Sequence, residues 1–141
     1  MTDYELATQK NHQIATILGW TEIKWSLWYE DDPNAGVYEQ SGYVAVNPVS
    51  GESESLPRWI DMADDALRLL QYMNEHESNG DTIYVLSWHI EYGWYIEKQK
   101  DLGYDGTFFI DMATGKEPAR VICEAFLQWH NEQEQANNDE N

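Results

Sequence analysis

The run of residues 81–98 constrains the fold of this chain more than any other stretch, because β-forming residues are densest there. The run divides near Glu91-Tyr92-Gly93, which predicts two strands joined by a turn. Apolar or aromatic side chains fall on both faces of the first strand, so neither face is clearly a solvent face. We therefore predict that residues 83–90 form an inner strand of a sheet covered on both sides.

The other predicted elements complete the order α-β-β-α-β-β-α. Helical periodicity predicts helices at residues 2–18, 61–76 and 117–130, and alternation predicts strands at residues 21–29 and 37–46. The first of these strands is expected to bury the face that carries Ile23, Trp25 and Leu27. Residues 107–110 could be a short strand or a turn inserted into the core. Two hairpins in one four-stranded antiparallel sheet, with helices on both faces, predict an α+β fold, a three-layer α/β/α sandwich.

Chain length favours a single domain. A chain of 141 residues is long enough for one hydrophobic core and too short to divide comfortably into two. We predict one α+β domain over residues 1–130 and a disordered acidic tail over residues 131–141, because the tail has no core-forming side chain. Neither a long apolar run nor a basic start followed by an apolar segment is visible, so the expected location is the cytoplasm.

Net charge is the most extreme property of the sequence. Twenty-six acidic residues against eight basic ones give a formal charge of −18. Direct binding to nucleic acid or to an anionic membrane is disfavoured, because such binding needs cations that replace the counterions of phosphates. The charge therefore predicts a basic protein partner, with no nucleic acid and no membrane bound directly.

Two carboxylate clusters and two tryptophans are the candidate partner-binding residues. Nine acids and a single base lie between Trp25 and Leu67, and a field of one sign steers a partner of the opposite charge. Exposed tryptophan is a typical anchor of protein interfaces. A solvated turn and a helix N-terminus are the ordinary explanations of the carboxylate clusters, and the filling of sheet faces explains the tryptophans equally well. The candidates are Glu30, Asp31, Asp32, Asp61, Asp64, Asp65, Trp28 and Trp59.

No motif in the sequence specifies a reaction. The histidines at positions 12, 76, 89 and 130 lie on four predicted elements, without the spacing that holds a metal on one helix face. For His89, on the predicted central strand, a role as acid, base or ligand stays open beside that of a hydrogen-bonded core residue. The carboxylate clusters match no metal-binding loop, and the glycines match no phosphate-binding pattern. We predict no catalytic residue, no metal and no cofactor, and therefore a protein that is not an enzyme.

Four short motifs carry a resemblance to a known family. They are Leu18-Gly19-Trp20, Asp61-Met62-Ala63 through Ala66, Trp94-Tyr95-Ile96-Glu97, and Pro118-Ala119-Arg120-Val121-Ile122-Cys123-Glu124-Ala125. The chain resembles the phage ABA sandwich domain family through these motifs, over roughly residues 12–130. It departs from the family's pattern at residues 56–60, the lead into the second helix. The resemblance implies a small protein of a phage or prophage, and it carries over no catalytic residue.

Charge and resemblance together predict a non-enzymatic acidic phage or prophage accessory protein in the host cytoplasm. It would bind and inhibit a basic host protein, and its concrete form is a counter-defence inhibitor, anti-CRISPR-like or a DNA mimic, that occupies a nucleic-acid-binding groove. The alternative from another class is a small-ligand protein or sponge that captures a nucleotide, although few cations are present to hold phosphate. The oligomeric state stays open, and a homodimer is one alternative.

Overall fold

The computed structural model describes residues 1–139, and the chain divides into two compact units. The first unit is Met1–Pro57 and the second begins at Arg58. The elements in chain order are α1 (Asp3–Ile17), β1 (Thr21–Asp32), β2 (Gly36–Val46), β3 (Ser53–Ser55), α2 (Ala63–His76), β4 (Thr82–His89), β5 (Gly93–Asp101), a 3₁₀ turn (Gly103–Asp105), β6 (Thr107–Gly115) and α3 (Pro118–Asp139).

Helix α1 of the first unit has defined signals at both ends. The Thr2 hydroxyl accepts a hydrogen bond from the Glu5 N–H at 3.1 Å, and the Glu5 carboxylate accepts one from the Thr2 N–H at 3.2 Å. This reciprocal capping box satisfies two backbone donors that a helix start leaves open. The helix stops before Gly19, whose φ of +92° suits glycine. Ile14 and Ala15 on α1 are fully buried.

Strands β1 and β2 form a long antiparallel hairpin. Residues 33–35 make its turn, where the Asp32 carboxylate accepts a hydrogen bond from the Asn34 N–H at 2.8 Å and Gly36 has a φ of +80°. The short strand β3 pairs only with residues 44–46 at the end of β2. The hairpin is therefore two-stranded over most of its length.

The second unit is an antiparallel meander, β4-β5-β6, with α2 and α3 packed against one face of the sheet. Its core lies between the sheet and the two helices. The largest fully buried side chains are Leu69 and Met73 on α2, Ile96 on β5, and Ile122 and Phe126 on α3. Strand β5 occupies the centre of this sheet, because it pairs with β4 on one side and with β6 on the other.

The α+β class is confirmed, but the predicted three-layer α/β/α sandwich with one four-stranded sheet is wrong. The six strands form two separate three-stranded sheets, and the order is α-β-β-β-α-β-β-β-α. Strand β3 lies between the second predicted strand and the second predicted helix, where no element was predicted, and β6 extends through residues 107–115. Because β6 pairs with β5, the predicted inner strand at residues 83–90 is an edge strand, and its Trp88 is exposed.

A side chain of α2 occupies one position on the free edge of β4. The Asn74 amide on α2 donates a hydrogen bond to the Tyr84 carbonyl oxygen at 3.0 Å and accepts one from the Tyr84 N–H at 2.8 Å. One amide thus satisfies both backbone groups that a neighbouring strand would otherwise bind. At Tyr84 the edge of β4 therefore offers no free backbone group to a neighbouring strand.

Helix α3 continues beyond His130, where the sequence placed its end and the start of a disordered tail. Gln133 donates hydrogen bonds to the Glu77 carboxylate at 3.3 and 3.4 Å. The Glu132 carboxylate lies 3.6 Å from the Lys98 ammonium group. These contacts support the helix past residue 130, and it extends to Asp139. Glu140 and Asn141, the last part of the predicted tail, lie outside the described residues.

Candidate protein-binding surface

One face of the β1–β2 hairpin carries a row of large apolar side chains. Side chains alternate between the two faces of a strand, and residues directly opposite each other share a face. We call this face the open face, and we define it by the cross-strand pairs Trp25–Tyr43, Leu27–Ser41, Tyr29–Glu39 and Asp31–Val37.

Helix α1 reaches only the root of the open face. The His12 ring meets the Tyr43 ring edge-on at 4.4 Å, and Tyr43 meets Trp25 in the same way at 5.0 Å. Farther along the hairpin the side chains are largely in solvent. The exposed fractions are 53% for Trp25, 60% for Leu27, 72% for Tyr29 and 68% for Val37.

The exposed row is a contiguous apolar patch with an acidic end. Single exposed apolar side chains are ordinary, whereas contiguous exposed apolar patches are a feature of interaction sites. Asp31 and Glu39 lie on the same face toward the hairpin turn, and Lys24 lies on the opposite face. The open face therefore combines aromatic anchors with negative charge and carries no cation of its own.

The opposite face of the hairpin holds the predicted site residues Trp28 and Glu30. The half-buried Trp28 ring lies against Gly42, where an added Cβ would meet it at 3.3 Å. Its indole N–H donates to one oxygen of Glu30 at 3.1 Å, and the Tyr38 hydroxyl donates to the other at 2.8 Å. The hydrogen bond from Trp28 and, to a smaller extent, the one from Tyr38 lower the pKa of Glu30, which favours the charged carboxylate.

The second predicted cluster lies in the other compact unit, just before and within the start of α2. The Asp61 carboxylate pairs with the Arg58 guanidinium at 2.7 Å, and the Asp65 carboxylate accepts from the Arg58 N–H at 3.0 Å. Asp64 is exposed in the first helical turn. Trp59 is only 4% exposed and belongs to the buried core, so it presents no surface to a partner.

The apolar residues of the open face were missed as site residues. Alternation predicted that Trp25 and Leu27 pack into a core, whereas the structure exposes them. A signal was present on the opposing strand, because the positions facing Leu27 and Tyr29 are the polar residues Ser41 and Glu39. A strand face that packs into a core normally meets apolar partners on the neighbouring strand.

The geometry gives little support to a catalytic or metal-binding role for His89 or for the carboxylate clusters. The His89 Nδ1 atom accepts a hydrogen bond from the Glu91 N–H at 3.1 Å, and the His89 ring stacks on Tyr92 at 4.2 Å. Among residues 1–139, no group of three or more His, Cys, Asp or Glu side chains is arranged to hold a metal ion. His89 is therefore bound within its own hairpin.

A shallow pocket of 280 Å³ lies where β6 meets α3. It contains two cations, Lys116 and Arg120, together with two acids, Glu117 and Glu124. The Arg120 guanidinium is already paired with Glu117 at 3.0 Å. Because the acids balance the cations, this pocket does not favour a phosphate-bearing ligand.

Comparisons with protein-family models, with curated proteins and with solved structures gave no match to this chain. In the part of the chain that the structure describes, no helix has both the length and the apolar character needed to cross a membrane.

Proposed function

We propose that this protein is a non-enzymatic binding protein whose open face on the β1–β2 hairpin attaches to a basic surface of another protein. The observation that carries the proposal is the exposed row of Trp25, Leu27 and Tyr29 on one strand face. Trp and Tyr are enriched among the residues that dominate binding energy, because they bury a large area at a small cost in conformational entropy.

Charge selects the kind of partner. The first unit holds nine acids against two bases, and the acids nearest the apolar row, Asp31 and Glu39, share its face. A partner with a basic rim around an apolar pocket would complement both features. A partner of net negative charge would be repelled over distances of about 10 Å at moderate salt.

The biological setting is taken from the sequence resemblance. In a phage or prophage, an acidic binding protein would act in the host cytoplasm. There it would inhibit a host protein by occupying its nucleic-acid-binding groove, as a counter-defence inhibitor or DNA mimic does. Such grooves combine positive charge with exposed side chains that stack on bases, which fits an acidic surface bearing aromatic rings.

Affinity capture tests this proposal. The immobilised wild-type chain should retain a small set of basic proteins from a host lysate, and the Trp25→Ala/Tyr29→Ala double variant should lose them. Tyr104→Ala is the matched control, because Tyr104 is a fully exposed tyrosine in the second unit. Equal capture by the wild type and the double variant would contradict the proposal.

A further inference from the structure

The two edge strands of the β4-β5-β6 sheet differ in the hydrogen bonds that their outward backbone groups make. On β4, Asn74 occupies the outward backbone groups of Tyr84, as described above. In contrast, within the described residues no hydrogen bond reaches the backbone of β6 from any element other than β5. An open strand edge is a template for pairing with another strand.

The register shows which backbone groups of β6 point outward. The N–H and C=O of Tyr84 point away from β5, toward Asn74. Hydrogen-bonding direction alternates along antiparallel strands, and the register pairs Tyr84 with Lys98 and Lys98 with Ile110. Because the backbone groups of Tyr84 point away from β5, those of its partner Lys98 point away from β4 and bond to Ile110 of β6. The backbone groups of the residues next to Ile110 therefore point away from β5. The outward-pointing backbone groups are those of Thr107, Phe109 and Asp111.

Apolar side chains surround this open edge. Phe108, Phe109 and Ile110 are consecutive, and each is between 44% and 55% exposed. A register shift between Ile96 and Glu97 of β5 marks an irregularity just beyond Asp111, which ends the regular edge. The open edge of β6 is thus a five-residue segment, 107–111, with unpaired backbone groups and exposed apolar side chains.

We propose that residues 107–111 pair with the same segment of a second copy, antiparallel and about a two-fold axis at Phe109. The two Phe109 residues would exchange backbone hydrogen bonds, and Phe108 of each copy would face Ile110 of the other. The β4-β5-β6 sheets of the two copies would then form one six-stranded sheet. This proposal is independent of the partner bound by the open face.

The two-fold register places no like charges directly opposite each other. Asp111 is the only charged residue of β6, and in the two-fold register it faces Thr107 of the other copy and not its own counterpart. Like charges directly opposite each other would have destabilised the pair. Each copy has a formal charge of −18, so added salt should strengthen the dimer by screening the repulsion. Binding of a basic partner should instead weaken with salt, which separates the two proposals.

Sedimentation equilibrium of the full chain at about 0.05 M and about 0.5 M salt tests the dimer. The wild type should form a dimer whose Kd falls at the higher salt. Phe109→Lys should raise that Kd by about tenfold or more, because it places two ammonium groups opposite each other. Ile90→Lys is the matched control, since it makes the same change at another exposed apolar position and should leave the Kd unchanged.

Phe109→Pro provides a second variant. It removes the outward N–H without touching the pairing with β5 and should weaken the dimer in the same way. In the wild type, hydrogen exchange at Thr107, Phe109 and Asp111 should slow as protein concentration rises, and this readout stands even if a variant fails to fold. A monomer at both salt concentrations would overturn the proposal, and so would a dimer that both variants leave intact. Capture of another protein's strand by a monomeric chain would also overturn it.

Discussion

Gly93 is required by the turn between β4 and β5. Its φ of +79° belongs to the left-handed region, and an added Cβ would lie 2.7 Å from the Gly115 carbonyl oxygen. Gly93→Ala therefore combines backbone strain with a clash against backbone, and it should destabilise the second unit by about 2–3 kcal/mol. Denaturant unfolding monitored in that unit measures the change.

Gly103→Ala separates backbone strain from the clash with a neighbouring backbone atom. Gly103 has a φ of +69°, but an added Cβ would meet nothing within 4 Å. Only the backbone strain remains, and Gly103→Ala should lower the free energy of unfolding by about 1 kcal/mol. Equal losses for the two alanine variants would contradict the predicted clash at Gly115.

His12 makes the stability of the first unit depend on pH. Burial lowers the pKa of His12 from its ordinary value of 6.5, and its Nε2 atom is buried without a hydrogen-bond partner among the described residues. The unfolded chain therefore binds a proton at a higher pH than the folded chain. Stability should be fully present above pH 6.5 and should fall as the pH drops from that value toward the folded pKa.

His12→Phe tests the assignment. Phenylalanine keeps a ring against Tyr43 and does not titrate, so the variant should lose most of the pH dependence between about pH 7.5 and about pH 5.5. Thermal unfolding of the first unit across this range gives the comparison. If wild type and variant lose stability in parallel, another group is responsible for the pH dependence.

At the scale of elements, Glu77 holds together α2, β4 and α3. Its carboxylate accepts hydrogen bonds from the Tyr84 hydroxyl and from the Trp129 indole N–H at 2.9 Å, besides those from Gln133. Burial alone would raise the pKa of Glu77, but the hydrogen bonds from Tyr84, the Asn79 backbone, Trp129 and Gln133 together outweigh it and lower the pKa. The charged form is therefore the one that the fold stabilises.

Glu77→Ala should destabilise the second unit by about 2 kcal/mol, because the Tyr84 and Trp129 donors would lose a partly buried acceptor. Glu75→Ala is the control, since Glu75 is an exposed carboxylate in the last turn of α2, just before Glu77. The Glu77 contribution should be present above pH 4.5 and should disappear as the pH falls through the lowered pKa. Urea unfolding at several pH values measures both effects, and equal losses for the two variants would contradict the role of Glu77.

The sequence predicted local elements better than their assembly. The helix at α2 and the hairpin at Glu91-Tyr92-Gly93 follow from periodicity and turn chemistry, which are local signals. Residues 108–110 are consecutive apolar residues without alternation, so the extent of β6 was not evident. The division into two sheets depends on which strands pair with each other, and local periodicity does not encode strand pairing.

The candidate site was predicted in part. The acids at residues 30–32 do lie on the hairpin end, although as strand residues on alternating faces and not in a turn. The apolar anchors Trp25, Leu27 and Tyr29 could not be assigned, because an alternating apolar strand face has the same sequence pattern whether a core covers it or solvent does. In the structure α1 contacts this face near Tyr43, and Leu27 and Tyr29 stay exposed.

At the scale of the whole molecule, charge and the open face make separable contributions to binding. Long-range attraction from a chain of formal charge −18 should act on the association rate and fade with salt. Contacts made by the apolar row should act on the dissociation rate, because they form only after docking. The two contributions therefore have different kinetic signatures.

The dissociation rate of a purified captured partner from Tyr29→Ala and from Tyr104→Ala, measured at fixed salt, tests whether the open face is the binding surface. If the open face is the binding surface, the partner should dissociate from Tyr29→Ala about tenfold faster or more than from the wild type, with little change in association rate. Tyr104→Ala should match the wild type. Equal dissociation rates for Tyr29→Ala and the wild type would contradict the claim that the β1–β2 hairpin is the binding surface.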